Sequence, residues 1–410
     1  MTDRVKGMFE KRDSHSILPG DTLRAHFSAY AQRLTAFTQK AVQTQSYSDR
    51  EENLARLIAD EMRALGFDEA FIDATGNAAG RVGNGKKVIH FDGHMDTVEV
   101  NDEDMWALPP FSGTILDEML WGRDSVDMKG GLCASIVAAA LAKEMGYLEG
   151  KTVYVTGTVC EEYCDGVSLR HFYQERNLRP DYCIICEPSD NVITLGHKGK
   201  GQARVHTRGV SAHGSAPEKG RNAVYEMAQI IGRVDALNRS LSSSAEGIHG
   251  TAVLSDISCE SASLNAVPGA CSIYVDRRLS PAQSIDDFRR EMDALILGKD
   301  AWWEVGTLRR RSWTGKDLVY EPMHDPWRIG RDDHLTVSME KAYARVMGKG
   351  ADTNGFWDFG TNAVTPVAMG IPTIGFGPGD YKLAHMRDER CPVSQIHEAC
   401  LVYASLIDVI

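Results

Sequence analysis

Apolar residues at Leu54, Leu57, Ile58, Met62 and Leu65 recur with helical spacing until Gly66 ends the run. Ser48 and Glu51 read as a capping box ahead of that helix. The first forty-odd residues also read as helical but carry no recognisable chemistry. Further on the period shortens. Residues 87–91, 152–159 and 182–186 are β-prone runs, and an Ala-rich stretch at 131–145 reads as a helix buried on all sides. Strands alternating with helices predict an α/β domain with a mostly parallel central sheet flanked by helices. In such sheets ligands collect where strands end.

The pattern changes near Gly196. Strands are expected at 201–207, 251–258, 270–278 and 302–308. Helices are expected at 222–237, with Val224, Met227, Ile231 and Val234 in one stripe, and around Ile285, Phe288, Met292 and Leu295. The order β-α-β-β-α-β is that of a ferredoxin-like α+β layer. After about Gly315 the α/β text resumes. The expected division is a catalytic domain of residues 1–195 and 316–410, interrupted by an inserted domain of residues 196–315.

Composition narrows the function. The chain has 410 residues, 43% hydrophobic and 25% charged, an ordinary globular profile with room for two domains. A net charge of −12 argues against a nucleic-acid or anionic-membrane binder. Residues 133–142 form the longest strongly apolar run, far short of the ~20 residues that span a bilayer. The N-terminal segment shows no secretory signal. Nine cysteines are too few and too unevenly numbered for a disulfide scaffold, so a cytoplasmic protein is expected.

The chemistry-bearing side chains stand at predicted strand ends. His94 and Asp96 follow the first strand, and Asp127 lies in GRDSVDMKGG ahead of the Ala-rich helix. Glu161 and Glu162 follow the second strand and Glu187 the third, while His385 sits after the turn-rich FGPGD. Histidines and carboxylates without an obligatory thiolate suit Zn²⁺, with Co²⁺ or Mn²⁺ as alternatives. Two histidines and three carboxylates exceed the needs of one tetrahedral ion and fit two divalent ions sharing a carboxylate, with a water between them. Asp96 is placed to accept the second ring N–H of His94, and Glu161 to take a proton from the water.

With these segments in this order, the chain resembles the metallopeptidase family (M20-type) of acetylornithine deacetylase, succinyl-diaminopimelate desuccinylase, aminoacylase and glutamate carboxypeptidase. The resemblance runs from Ser48 to the C-terminus. It implies one metal on His94, Asp127 and Glu187, a second on Asp127, Glu162 and His385, Asp96 as the orienting carboxylate, and Glu161 as general acid/base. It further implies a homodimer in which His213, in SAHGSAP, reaches the partner's active site to polarise the carbonyl. Asn265 in NAVP and Arg278 in DRR would hold substrate. Strand alternation also sets Arg278 apart from Cys271, Ile273 and Val275, where it could meet a substrate carboxylate or pair with Asp276. Gly377 and Gly379 flank Pro378 in a loop whose backbone could approach substrate closely.

Two segments depart from the family. Asp124 stands where many relatives have the second glycine of GRG. Asn362 ends a Gly-Thr-Asn segment where many have GTD or GTE, which removes a charge expected to greet a substrate ammonium. That segment together with FGPG resembles a subgroup of selenium-metabolism-linked hydrolases. Cys183 and Cys186 read as buried strand cysteines rather than a metal or redox pair, and His90 as a hydrogen-bonded core histidine. Trp302 and Trp303 read as core or interface aromatics. The expected function is hydrolysis of the amide bond of a small N-acyl amino acid or dipeptide. Deacylase and dipeptidase or carboxypeptidase readings share every catalytic residue, and the alternative from another class is a non-catalytic metal- or ligand-binding dimer.

Overall fold

The computed structural model describes residues 19–241 and 247–410. The segment read for a leader lies outside them. The chain opens with α1 (Pro19–Gln43) and α2 (Glu52–Ala64), then β1 (Glu69–Ile72), β2 (Ala78–Gly83) and β3 (Lys87–His94). A hairpin of β4 (Thr114–Leu116) and β5 (Met119–Trp121) leads into α3 (Lys129–Glu144). Next come β6 (Lys151–Thr158), α4 (Val167–Glu175), β7 (Tyr182–Ile185) and β8 (Thr194–His197). A second layer follows with β9 (Gly199–Arg208), α5 (Ala223–Ser240), β10 (Thr251–Glu260), β11 (Ala270–Leu279), α6 (Ile285–Ile296) and β12 (Ala301–Val305). A hairpin of β13 (Leu308–Arg311) and β14 (Asp317–Tyr320) and the short β15 (Met323–His324) come after it. The chain ends with β16 (Trp327–Arg328), α7 (His334–Met347), β17 (Gly355–Trp357), α8 (Val364–Ala368), β18 (Thr373–Gly375), β19 (Arg390–Pro392) and α9 (Val393–Val409).

The larger sheet runs β1-β2-β6-β3-β7-β18-β8-β16, with β17 beside β8. Its centre, β6-β3-β7-β18, is parallel, while antiparallel pairs flank it, so the sheet is mixed. Helices cover both faces, as alternation along β3 shows. His90 turns toward Tyr173 of α4, and Phe91 packs against Tyr403 of α9 with ring centroids 5.2 Å apart. Helix α3 is buried from Lys129 to Ala142, which is why its sequence lacks a polar face. Gly131 lets its first turn touch the end of β7, because a Cβ there would collide with the Cys186 carbonyl. That contact brings the Asp127 loop beside Glu187.

The smaller sheet is antiparallel in the order β10-β11-β9-β12, with β15 pairing the start of β9. With β9 as first strand, this is the 4-1-3-2 arrangement of a β-α-β-β-α-β layer. Val205, Ile273 and Val275 face Met227 of α5 and Phe288 and Met292 of α6 in a core of their own. Removing a side chain such as Phe288 from it would cost about 3–5 kcal/mol. Arg277 also points to this side, fully buried and paired with Glu291 at 2.8 Å. The chain passes from the larger to the smaller sheet between His197 and Gly199, and returns between His324 and Trp327.

One expected local motif is absent. Helix α2 begins at Glu52 with no side-chain cap from Glu51, and the Ser48 hydroxyl donates to Asp96 at 2.6 Å instead. A buried carboxylate outcompetes the helix end for that hydroxyl.

Candidate dinuclear metal centre

The parallel strands deliver their following loops to one edge of the sheet. β3 ends in His94, β6 is followed by Glu161 and Glu162, β7 by Glu187, and β18 by the loop that reaches His385. Asp127 arrives from the hairpin side just ahead of α3. Two sets of donors lie within 4.8 Å of one another: His94, Asp127 and Glu187, and Asp127, Glu162 and His385. One Asp127 oxygen lies 2.9 Å from His94 Nε2 and the other 3.2 Å from His385 Nε2. Glu162 Oε1 is 3.0 Å from His385 Nε2, and Glu187 Oε1 is 3.7 Å from His94 Nε2. Glu161 lines the same cavity of about 300 Å³, with Oε1 buried and without a hydrogen-bond partner among the described residues.

These groups fit divalent cations. Four carboxylates converge on two imidazoles in a site where burial penalises every charge. Burial, then the neighbouring carboxylates, hold Glu161 well above its ordinary pKa. Burial and Asp127 do the same to Glu187. Burial lifts Glu162 to about 7. Burial disfavours the His385 imidazolium, yet Asp127 and Glu162 outweigh it and raise the ring to about 11. A site that binds extra protons this tightly is one that cations can occupy in their place. The Nδ1–H of His94 donates to the Asp96 backbone carbonyl at 2.8 Å, which leaves Nε2 as the ligand atom.

The expectation for Asp96 is thereby corrected. Its carboxylate lies 3.8 Å from the ring nitrogen and accepts the backbone N–H groups of Glu161 and Glu162 at 2.9 and 3.1 Å. Glu389 does comparable work for Asp127, because its Oε1 accepts the N–H of Val126 and of Asp127. Arg123 binds Glu389 Oε2 at 2.8 Å and the carbonyls of His385 and Met386, tying both ligand loops together. Neither Arg123 nor Glu389 stands out in the sequence, although Glu389 shares the AHMRDER segment with His385.

The substrate-side residues divide. Arg278 lines the cavity, and it also makes two bonds to Asp276, at 2.8 and 3.1 Å. Lys200, unnoticed in the sequence, lines it too, paired with both oxygens of Asp165 at 2.9 and 3.0 Å. Phe359, Gly360 and Tyr381 complete the wall. His213 and Asn265 lie elsewhere, in a separate open cavity of the smaller layer, where His213 is exposed and bonded to Ser215. Gly377 and Gly379 are buried and do not line the catalytic cavity. A Cβ at Gly377 would strike the carbonyls of Cys186 and Glu187, so this glycine permits backbone packing rather than substrate approach. Asn362 also lies below the site. Its amide donates to Asp92 and Thr158 at 2.8 Å and accepts from the Gly166 N–H, so it has no group to offer an ammonium. Asp124 is buried in an ion pair with Lys129 at 2.7 Å.

Trp302 departs from the reading of a core aromatic, being exposed, while Trp303, Cys183, Cys186 and His90 are at least partly buried. Cys183 and Cys186 are buried thiols. His90 is bonded to Tyr173 and Thr156, and burial pushes its pKa down to about 3. Trp303 packs on Phe288, while Trp302 stacks on His206 on the open face of the small sheet.

A mixed sheet with His/carboxylate donor sets at its strand ends, plus an antiparallel second layer, has the donors that a metallo-hydrolase needs. Residues 90–409 match the Peptidase family M20/M25/M40, and the chain belongs to that family. YgeY of Escherichia coli (strain K12), itself uncharacterized, is 33% identical over 381 residues, spanning 92% of this chain and 94% of its own. Acetylornithine deacetylase of Aliivibrio fischeri (strain MJ11) is 26% identical over 402 residues, spanning 93% and 97%. An M20 family metallo-carboxypeptidase from Sulfolobus solfataricus superposes with a TM-score of 0.69 at 17% identity, covering 91% of this chain and 98% of that one, a likeness of fold. Among the described residues no helix is long and apolar enough to cross a membrane.

Proposed function

We propose that this chain hydrolyses the amide bond of a small N-acyl amino acid or dipeptide bearing a free carboxylate. The observation that carries the reading is the pair of donor sets sharing Asp127, with the buried Glu161 carboxyl beside them. His94, Asp127 and Glu187 would hold one divalent ion, and Asp127, Glu162 and His385 a second, Zn²⁺ first and Co²⁺ or Mn²⁺ on the same donors. Such ions, when bound, acidify water and polarise a carbonyl.

Glu161 takes the proton of the attacking water and holds it until the amide nitrogen leaves. The leaving amine then receives the proton from the same carboxyl oxygen. Arg278 and Lys200 face the cavity with the donors that suit a substrate carboxylate, and Phe359 and Tyr381 offer an apolar wall. His213 lies outside this cavity, so the reading includes a homodimer in which a second copy supplies His213 to the oxyanion, and Asn265 to the substrate. The smaller layer would then serve as dimerisation and lid domain. Nine unbridged thiols suit a reducing cytoplasm.

The deciding experiment measures amine release from N-acetyl, N-succinyl, N-formyl and N-carbamoyl amino acids and from dipeptides, on metal-loaded protein and on a chelated control. Chelator-sensitive release from one chemical class is expected and names the substrate. Silence across the panel from protein holding two ions per chain would overturn hydrolysis in favour of a binding role.

A further inference from the structure

Three consecutive backbone amides beside the centre point at two buried carboxylates from distant parts of the chain. Cys160 N donates to Glu51 Oε1 at 3.0 Å, Glu161 N to Asp96 Oδ1 at 2.9 Å, and Glu162 N to Asp96 Oδ2 at 3.1 Å. Cys160 opens this turn with φ of 56°, the left-handed region that a residue with a Cβ enters at a cost. Successive N–H groups in such a turn form a concave anion receptor. Here the protein fills it with its own carboxylates.

Glu51 Oε1 also accepts the Cys160 thiol at 3.5 Å, so both polar groups at the start of the turn meet this one oxygen. Glu51 makes no capping bond to α2, its side chain is fully buried, and the oxygen that holds Cys160 also accepts the N–H of Asp49 at 3.1 Å. Ser48, three residues earlier, braces Asp96. The Ser48–Glu51 segment thus presses on the underside of the turn whose upper side presents Glu161 and Glu162 to the cavity.

We propose that Glu51 is a positioning residue for Glu161 and Glu162, holding the start of their turn through an acceptor oxygen at a fixed reach. The inference rests on the function proposed above for those two side chains. What the role requires is the oxygen and its distance, not the negative charge. Glutamine at position 51 keeps both, whereas aspartate keeps the charge and withdraws the oxygen by one methylene.

The test uses the full chain with Glu51→Gln, Glu51→Asp and Glu51→Ala. One arm measures kcat and KM on a substrate from the panel. The other titrates metal-free protein with Zn²⁺ alone, by calorimetry, and resolves the two ions. The expected result is Glu51→Gln within about threefold of the parent in both arms. Glu51→Asp and Glu51→Ala should lose about tenfold or more in kcat with KM nearly unchanged. They should also weaken by about 10–100-fold the ion that Glu162 binds, leaving the other in place. Equal losses in Glu51→Gln and Glu51→Ala would overturn the proposal. So would variants that melt earlier yet keep kcat and both affinities. If Glu51→Ala does not fold, the glutamine and aspartate pair decides alone. Failure of the hydrolase reading is separate, because it shows as an inactive parent protein while the Zn²⁺ arm still judges the clamp.

Discussion

The carboxylate of Glu389 accepts the backbone N–H of Asp127 at 3.1 Å, and so grips the one residue common to both candidate ion sites. Glu389 is fully buried and its countercharge is Arg123, itself nearly buried. Removing one member of such a pair strands the other in a low-dielectric site. Arg123→Leu should therefore lower stability by about 3–5 kcal/mol, read as a lower urea midpoint. Adding Glu389→Gln, which keeps an acceptor without a charge, should recover part of the loss. A single variant as stable as the parent would show that the pair is not what secures the loop.

Glu161→Gln should reduce kcat by about 10²–10⁴-fold, the usual worth of a positioned acid/base. Because Glu161 belongs to neither donor set, the variant should retain two ions by elemental analysis. Near-normal turnover would remove Glu161 from the mechanism.

Chelation should lower the melting temperature. Ions held at a thousand times their dissociation constant add about 4.1 kcal/mol to stability, and the crowded carboxylates would face each other without them. A melting curve indifferent to chelator, on protein shown to have lost its metal, would count against a metal site here.

A protein carrying His213→Ala mixed with one carrying Glu161→Gln should regain activity through the hybrid dimer, where one site draws intact residues from both chains. No recovery after demonstrated subunit exchange would confine each active site to its own chain.

Acid should destabilise the protein partly through His90. Burial depresses its pKa from 6.5 to about 3, so between those values the unfolded chain binds a proton that the folded chain refuses. The contribution is complete above pH 6.5 and is lost as pH falls toward 3. His90→Gln, which can still bond Tyr173 and Thr156, should flatten the decline of stability over that window. An unchanged slope would mean the ring is not excluded from protonation in the native state.

The sequence was most readable where ligand and strand are contiguous. His94 closes β3, and Glu161 and Glu162 follow β6 within a few residues, so periodicity and chemistry appear in one stretch of text. Where a side chain's partner is remote, the text misleads. Ser48 and Glu51 carry a sound capping signature, but Asp96 and the Cys160 amide, reached only through folding, compete for them. Asn362 reads as the loss of a charge that would face a substrate ammonium until its bonds to Asp92 and Thr158 are seen. Gly377 reflects the proximity of two strand ends, and Lys200 is an unremarkable strand residue until β9 is set beside Asp165.

Of the nine cysteines, eight are buried, and Cys259 alone is exposed. It lies near the end of β10, an edge strand of the smaller sheet, across from the buried Cys271. The unaltered protein thus carries a single addressable attachment point for a maleimide dye or a nitroxide. A reporter there sits on an edge strand whose outer side has no paired strand among the described residues, where fluorescence or spin-label spectra register the approach of a second copy without any engineered mutation.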